Sequence, residues 1–202
     1  MSLPFRLCAL LGCVLLAACA PHAVRLKGDP AAVAAQLARE QALGSLDRFV
    51  LEGRLGVSDG KDGGSGSFSW TQRGASYEFE LRGPAISGMS FRLSGGPGGA
   101  LLEGLAQGPV AGRDAEALMR KALGWEVPLA DLRAWVFGLR ADGGPAELAF
   151  GADRLPSRLV QDGWTVDYPA WATDRDPALP KRVFASHATW KVKLSISAWC
   201  FD

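Results

Sequence analysis

Alternation of apolar and polar residues predicts that most of the chain after residue 48 is β-strand. The alternation is strict at residues 67–71 and 77–82, and Gly- and Pro-rich turns separate the segments. Such alternation buries one face of a sheet and leaves the other in water. Short strands at this spacing indicate an antiparallel meander curved around one core. We predict strands at residues 49–57, 67–71, 77–82, 90–94, 100–103, 146–150, 158–161, 164–168, 182–186 and 189–199.

The turns and the last strand sharpen this picture. Residues 58–66 and 95–99 are rich in Gly, Ser, Asp or Pro and are predicted to be turns. In the last strand the large apolar side chains share one face and the lysines share the other. The predicted inner face consists of Trp190, Val192, Leu194 and Ile196, and the outer face of Lys191, Lys193 and Ser195.

Helical signals interrupt the strands in three places, at residues 31–43, 115–123 and 129–137. Pro30 and Pro128 suit a first helical turn, and Asp114 is a typical N-cap residue. Gly124 is placed to end the second helix. The first helix has a narrow apolar stripe, which we expect to pack against the rest of the domain; its members are Val33, Leu37 and Leu43.

The N-terminus has the pattern of an export signal. Arg6 precedes an apolar run over residues 7–18, which is shorter than the roughly 20 residues that span a bilayer. Leu16, two alanines and Cys19 then form the lipobox pattern of bacterial lipoproteins. We expect Cys19 to be lipidated; the alternative is an ordinary signal peptide with a chance cysteine. We therefore divide the chain into a signal peptide (1–18), a lipidated tether (19–30) and one domain (31–202).

Composition and charge exclude several classes of protein. The chain has 22 Lys and Arg against 21 Asp and Glu, and no basic run indicates a nucleic-acid partner. Two of its four cysteines, Cys8 and Cys13, leave with the signal peptide. Cys200 is then the only free thiol, so no disulfide is expected inside the mature protein, and we interpret it as a small apolar residue.

The sequence shows no recognisable catalytic constellation, and we do not expect an enzyme. It lacks the hydrolase, zinc-protease and Cys-pair motifs, and the glycines at residues 95–99 lack a phosphate loop's lysine. We interpret His187, at a strand junction, as a surface residue. Glu78 and Glu80 lie on the polar face of a predicted strand and are expected to be solvated. A carboxylate pair of the glycosidase type has no signal in its favour.

Aromatic residues are abundant, with 7 Trp and 9 Phe in 202 residues. Several tryptophans recur at the centres of predicted elements. One interpretation is that they build an ordinary core. The other is that they form the wall of an apolar ligand cavity, because a wide curved sheet with helices in its mouth can enclose space.

The order of the motifs resembles that of the LolB family of outer-membrane lipoprotein receptors. The resemblance extends from about Leu46 to Trp199. It rests on a series of short segments whose order, together with the lipobox, is specific: residues 52–54, 68–72, 83–84, 114–118, 124–129, 132–139, 163–168 and 193–199.

The resemblance implies an unclosed antiparallel β-barrel whose opening is covered by helices. It also implies that the protein accepts client lipoproteins from the periplasmic carrier LolA, binds their acyl chains in an apolar cavity and inserts them into outer-membrane phospholipid. No cofactor or nucleotide is implied, and we expect a monomer. The residue after Cys19 is Ala20 and not the Asp that commonly retains lipoproteins in the inner membrane. The resemblance therefore implies a lipid-anchored protein of the outer membrane that faces the periplasm. The candidate cavity residues are Trp70, Phe79, Leu93, Trp135, Trp164, Val166 and Leu194.

Two segments differ from the family pattern. Family members usually carry a leucine soon after the proline of the 83–84 loop, on a tip that helps to insert clients. Here Pro84 is followed by a longer segment ending in Met89, in which Ile86 matches by character and Ala85 by position. Arg140 stands where the family commonly has proline, which we expect to alter only a helix exit.

A second hypothesis needs no carrier. A lipocalin-like lipoprotein that binds a free lipid or a small apolar molecule would use the same curved sheet and the same anchor. A soluble carrier fits less well, because a lipid on Cys19 would hold it at the membrane.

Overall fold

The computed structural model describes residues 26–84 and 89–201, which form one curved antiparallel sheet with helices packed on it. The predicted segments at residues 1–25, including Cys19, and at residues 85–88 lie outside the described part. The strands are β1 (Leu26–Lys27), β2 (Arg48–Ser58), β3 (Gly63–Arg73), β4 (Ser76–Arg82), β5 (Ser90–Gly96), β6 (Gly99–Glu103), β7 (Val110–Gly112), β8 (Ala146–Phe150), β9 (Pro156–Gln161), β10 (Trp164–Ala172), β11 (Leu179–His187) and β12 (Trp190–Phe201).

The sheet is an unclosed barrel, as predicted. Its order is β1-β8-β9-β10-β11-β12-β2-β3-β4-β5-β6-β7, so β1 and β7 are its two edges and no ladder joins them in the described part. The last strand, β12, pairs with β2 over ten residue pairs. This pairing joins the half of the sheet formed by β8 to β12 to the half formed by β2 to β7. Edge strands β1 and β7 have only two and three residues, which is too short for the sequence pattern to show.

The concave face of the sheet holds the core. Inward side chains of β2, β3, β4, β10 and β12 meet those of the helices in one cluster of buried apolar residues. The predicted faces of β12 are confirmed, with Val192 and Leu194 fully buried and Lys191 and Lys193 exposed. A register shift after Ile196 lets the following aromatic residues turn inward as well.

Three helices lie in the described part, α1 (Pro30–Leu43), α2 (Ala115–Leu123) and α3 (Leu129–Trp135). The predicted bounds of α2 are confirmed: the Asp114 carboxylate accepts a hydrogen bond from the backbone N–H of Ala117, and Gly124 ends the helix with a positive φ of 70°. Helix α3 ends two residues earlier than expected, since the backbone tightens into a turn from Val136 to Gly138.

The predicted packing face of α1 is wrong at Val33 and Leu37, and it is right at Leu43, which is buried. Val33 and Leu37 are 41% and 47% exposed. The buried side of the helix carries Gln36 and Arg39 instead, together with two apolar residues, Ala32 and Leu43. The apolar pattern misleads here because α1 is attached to the domain mainly by polar side chains.

Several local expectations also need correction. Strand β3 begins at Gly63, so the predicted turn at residues 58–66 is much shorter, and Gly95 and Gly96 belong to β5. His187 is half-buried, with its ring 5.3 Å from that of Trp164. Cys200 is a free thiol, but it is exposed. The Glu80 carboxylate is bound by Arg82 and Arg92, and these bonds hold its pKa below the usual range.

Candidate functional site

An open pocket of about 790 Å³ lies between the sheet and helix α3, within the size range of ligand-binding cavities. Three aromatic side chains, Trp70, Tyr77 and Phe79, form its sheet side. The opposite wall comes from α3 and the turn after it, and the end of α1 closes the third side. The apolar residues on these two walls include Leu43, Leu46, Leu129, Ala130, Ala134, Phe137 and Leu139.

Local sequence explains this arrangement. Trp70 and Phe79 are directly opposite each other in the β3–β4 ladder, with ring centroids 6.2 Å apart. The Trp70 indole Nε1 donates a hydrogen bond of 3.1 Å to Gln72 Oε1, and Gln72 Nε2 donates one of 2.7 Å to the Gly74 carbonyl. The buried polar atoms of this wall are therefore paired, which leaves the Trp70 and Phe79 rings to form an apolar surface.

Charged side chains surround the mouth of the pocket. Burial raises the pKa of Asp131, and the nearby carboxylates of Asp162 and Glu116 raise it further. Burial likewise raises the pKa of the Tyr77 hydroxyl, so that it stays neutral at physiological pH. The pocket thus has an apolar interior and a mixed polar rim, which consists of Arg113, Asp114, Glu116, Asp131, Arg133, Arg140 and Asp142.

Helix α1 is fastened over one side of the pocket by a polar latch, formed by Gln36, Arg39 and Glu40. Gln36 Nε2 donates a hydrogen bond of 3.0 Å to the Gly138 carbonyl, and Arg39 Nη2 donates one of 2.7 Å to the Phe137 carbonyl. Burial lowers the pKa of Arg39 to about 10, which still leaves it charged at neutral pH. The latch therefore ties α1 to the turn that follows α3.

The predicted cavity residues fall into two groups. Trp70 and Phe79 line the open pocket. The other five are buried in the surrounding core in this conformation, where the rings of Trp135 and Trp164 are 6.0 Å apart. They do not line the open pocket, and their part in binding stays a prediction: Leu93, Trp135, Trp164, Val166 and Leu194.

The predicted insertion segment joins β4 to β5. Pro84 is exposed and Met89 is half-buried against the core, while Ala85 and Ile86 lie outside the described residues. The Gly83 N–H donates a hydrogen bond of 2.7 Å to the Met89 carbonyl and closes the base of the loop. The pocket mouth is at the other end of β4, about 20 Å away for a strand of this length.

Sequence reasoning missed several lining residues. Tyr77 and Phe79 are two positions apart on the same predicted strand and therefore share its inner face, so Tyr77 could have been predicted as a lining residue. Leu129 and Ala134 lie at the start and near the end of α3, and their facing could not be read from a helix of seven residues. Leu43 and Leu46 flank the α1–β2 connection, where no periodicity indicates an inward face.

Comparison with known proteins identifies the family. The model of the family described as "Outer membrane lipoprotein LolB" matches residues 47–199. The chain belongs to the LolB family. The resemblance noted from about Leu46 to Trp199 is thereby confirmed.

Curated LolB proteins match at full length. Outer-membrane lipoprotein LolB of Xanthomonas oryzae pv. oryzae (strain MAFF 311018) is 36% identical over 98% of each chain. LolB of Pseudomonas syringae pv. syringae (strain B728a) is 37% identical over 96% of this chain and 93% of its own. The protein is accordingly an outer-membrane lipoprotein with a role in lipoprotein localisation, a family role that involves no known enzymatic activity.

Solved structures support the fold. A LolA superfamily protein from Nitrosomonas europaea matches with a TM-score of 0.52 at 10% identity, over 85% of this chain and 93% of that one. A DUF1329 family protein from Desulfovibrio piger matches with a TM-score of 0.53, also at 10% identity, over 86% and 92%. In the described residues, no helix is both long and apolar enough to cross a membrane.

Proposed function

We propose that this LolB protein receives lipoproteins from the periplasmic carrier LolA, binds their acyl chains in the open pocket and inserts them into the outer membrane. The observation that supports this most strongly is the pocket of about 790 Å³ with an apolar interior, in a protein of a lipoprotein-localisation family. In the same proposal Cys19 carries the lipid anchor, and the loop from Pro84 to Met89 makes the contact with the receiving bilayer.

The cost of exposing acyl chains explains why such a pocket is needed. Each buried methylene contributes about 0.8 kcal/mol, so one long chain in water costs on the order of 10 kcal/mol. A triacylated client therefore has to pass from one apolar environment to the next without exposure to water. The walls formed by Trp70, Phe79 and Phe137 provide such an environment.

Release is as important as binding. Burial and dispersion are non-directional, so a pocket wall of aromatic and aliphatic groups accepts chains of different length without a specific hydrogen bond to break. The polar groups in the Trp70 wall are already paired with each other through Gln72. A bound chain can therefore leave for a bilayer, which offers the same burial.

A reconstituted transfer assay tests the proposal. Purified LolA loaded with a labelled triacylated lipoprotein is mixed with this protein, and phospholipid vesicles are then added. We expect the label to move first to this protein and then to the vesicles. A lipocalin-like protein would take up free fatty acid but leave the client on LolA, and that outcome would contradict the proposal.

A matched pair of variants assigns the transfer to the pocket. Ala134→Trp places a large ring among the lining residues, whereas Ala34→Trp adds the same ring to the exposed side of α1. We expect Ala134→Trp to lose client uptake and Ala34→Trp to keep it, with the circular dichroism spectra of both unchanged. Equal uptake by the two variants would place the acyl chains elsewhere.

A further inference from the structure

A second cavity lies behind the open pocket. Its free volume is only about 10 Å³, and apolar residues alone line it: Leu55, Phe79, Phe91, Met119, Trp125, Val127, Leu129 and Leu132. A space of that size without polar partners holds no ordered water, so it is dry. Two of its residues, Phe79 and Leu129, also line the open pocket and form the partition between the two spaces.

Aromatic contacts continue across this partition. The ring centroids of Phe79 and Phe91 are 6.4 Å apart, and those of Phe91 and Trp125 are 5.7 Å apart. With Trp70 on the near side of Phe79, four rings lead from the open pocket to the far end of the second cavity. Within the described residues, these four side chains meet one another through ring faces and edges.

The far end of this path is the base of the loop from Pro84 to Met89. A β-carbon added at Gly64 would collide with both the Met89 sulphur and the Trp125 ring, so these two side chains fill the space above that glycine. Met89 is the residue whose carbonyl closes the loop. Methionine adapts its shape easily, which makes it a displaceable end wall.

We propose that the second cavity is an inner acyl-chain compartment, entered when Phe79 and Leu129 move apart, and that it receives the methyl end of a long chain. This deepens the proposed function and rests on it. Leu129 is suited to movement because it is the first residue of the short helix α3 and is only half-buried. The chain end then comes to lie against Trp125 and Met89, below the loop.

Brominated fatty acids test the depth of the chain, because bromine quenches the fluorescence of a tryptophan that it touches. Palmitate brominated beside its methyl end and palmitate brominated beside its carboxylate are titrated into the full mature protein, into Trp125→Phe and into Trp70→Phe. We expect methyl-end quenching to fall strongly in Trp125→Phe. Carboxylate-end quenching should fall strongly in Trp70→Phe instead.

A chain-length series tests the partition. In the unmodified protein each added methylene is expected to tighten binding by about fourfold from octanoate to palmitate, as long as it finds a buried site. Leu129→Phe narrows the passage, so its affinities should match the unmodified protein for octanoate and then stop rising. Leu129→Ala widens it and should keep the full series.

The outcomes separate the two proposals. If no fatty acid binds and no client is taken up, both the proposed function and the inner compartment are wrong. If palmitate binds and its methyl end quenches Trp70 but not Trp125, the open pocket is the whole site and the inner compartment is wrong. If Leu129→Phe shows the same length dependence as the unmodified protein, the partition that we assign to Phe79 and Leu129 does not exist.

Discussion

Arg140 binds Glu40 through two hydrogen bonds, from Nε to Oε1 at 2.8 Å and from Nη2 to Oε2 at 2.6 Å. The two residues are one hundred positions apart, and their pair joins α1 to the chain beyond α3 at the rim of the open pocket. The family pattern commonly has proline at this position, and a proline side chain has no group that could donate these hydrogen bonds. Arg140 therefore does more than change a helix exit: it adds an ion pair to the polar latch.

Glu40→Gln tests this ion pair through pH. Burial opposes ionisation of Glu40, but the hydrogen bonds from Arg140 and Gln36 outweigh it and lower its pKa. The pair thus stabilises the fold above the carboxyl's unfolded pKa, and the effect is lost as the pH falls through the folded pKa. We expect Glu40→Gln to lower the free energy of unfolding by at most about 1 kcal/mol at pH 7, given solvent screening, and by nothing in acid.

Urea unfolding at a series of pH values measures this difference. Glu78→Gln is the control, because the Glu78 carboxylate is half-exposed and its contact with Arg92 Nε is long, at 3.8 Å, so its loss should change stability little. A loss in Glu40→Gln that stays constant from neutral to acidic pH would show that the carboxylate charge is not its cause.

Arg39→Ala removes the buried member of the latch. The Phe137 carbonyl then loses its charged donor, and the Trp171 ring, 4.8 Å from the guanidinium carbon, loses its stacking partner. We expect the free energy of unfolding to fall by about 2 kcal/mol. Amide hydrogen exchange should speed up in α1 and leave β12 unchanged. A uniform increase in exchange over both elements would argue against a local latch.

Gly64→Ala tests the packing beneath the insertion loop. The added methyl group collides with Met89 and Trp125, and we expect a loss of about 1–3 kcal/mol in thermal or urea unfolding. Gly98→Ala is the control, because a β-carbon there meets nothing within 4 Å. In the double variant with Met89→Ala, part of the Gly64→Ala loss should be recovered, whereas strictly additive losses would mean that Met89 is not the obstacle.

Ile86→Glu tests the tip of the loop. A charge that must enter hydrocarbon costs about 3 kcal/mol, so we expect clients to load normally from LolA but to transfer slowly to vesicles. Ala85→Glu is the matched variant at the neighbouring position. If only Ala85→Glu slows transfer, Ala85 is the tip; if neither does, the loop takes no part in insertion.

Cys19→Ala tests the anchor. Without a lipid the protein would meet the membrane only by diffusion, and its local concentration at the surface would fall. We expect delivery to continue at a reduced rate, measured as client transfer to vesicles by the folded, unlipidated protein. Complete loss of transfer would make the tether an essential part of insertion.

The sequence alone predicts individual strands and helices with clear capping residues. Asp114 and Gly124 mark the ends of α2, and the alternation around Val192 and Leu194 gives the inner face of β12. The packing face of α1 was not readable in the same way. Its inner side carries Gln36 and Arg39, whose partners are backbone carbonyls about one hundred positions away. Such partners leave no trace in apolar periodicity.

The site was readable only in part for a similar reason. Trp70 and Phe79 lie on strongly alternating strands, and both line the pocket. Trp135 and Trp164 have an equally strong aromatic signal, yet their rings are buried against each other away from the pocket. Sequence indicates which side chains face inward, but whether an inward side chain meets a cavity or a neighbour depends on how the helices sit across the sheet.

The edge strand β1 is where the proposed tether joins the folded domain. Leu26 is paired with Phe150 of β8, and it lies seven positions after Cys19, with six residues between them. With the lipid on Cys19, as proposed, even a fully extended chain from Cys19 to Leu26 would keep Leu26 within about 25 Å of the lipid headgroups. In the proposed function, a loaded carrier would then hand over its lipoprotein close to the membrane surface. If the anchor is on Cys19 as proposed, the two paired residues of β1 set the greatest distance between the domain and the membrane.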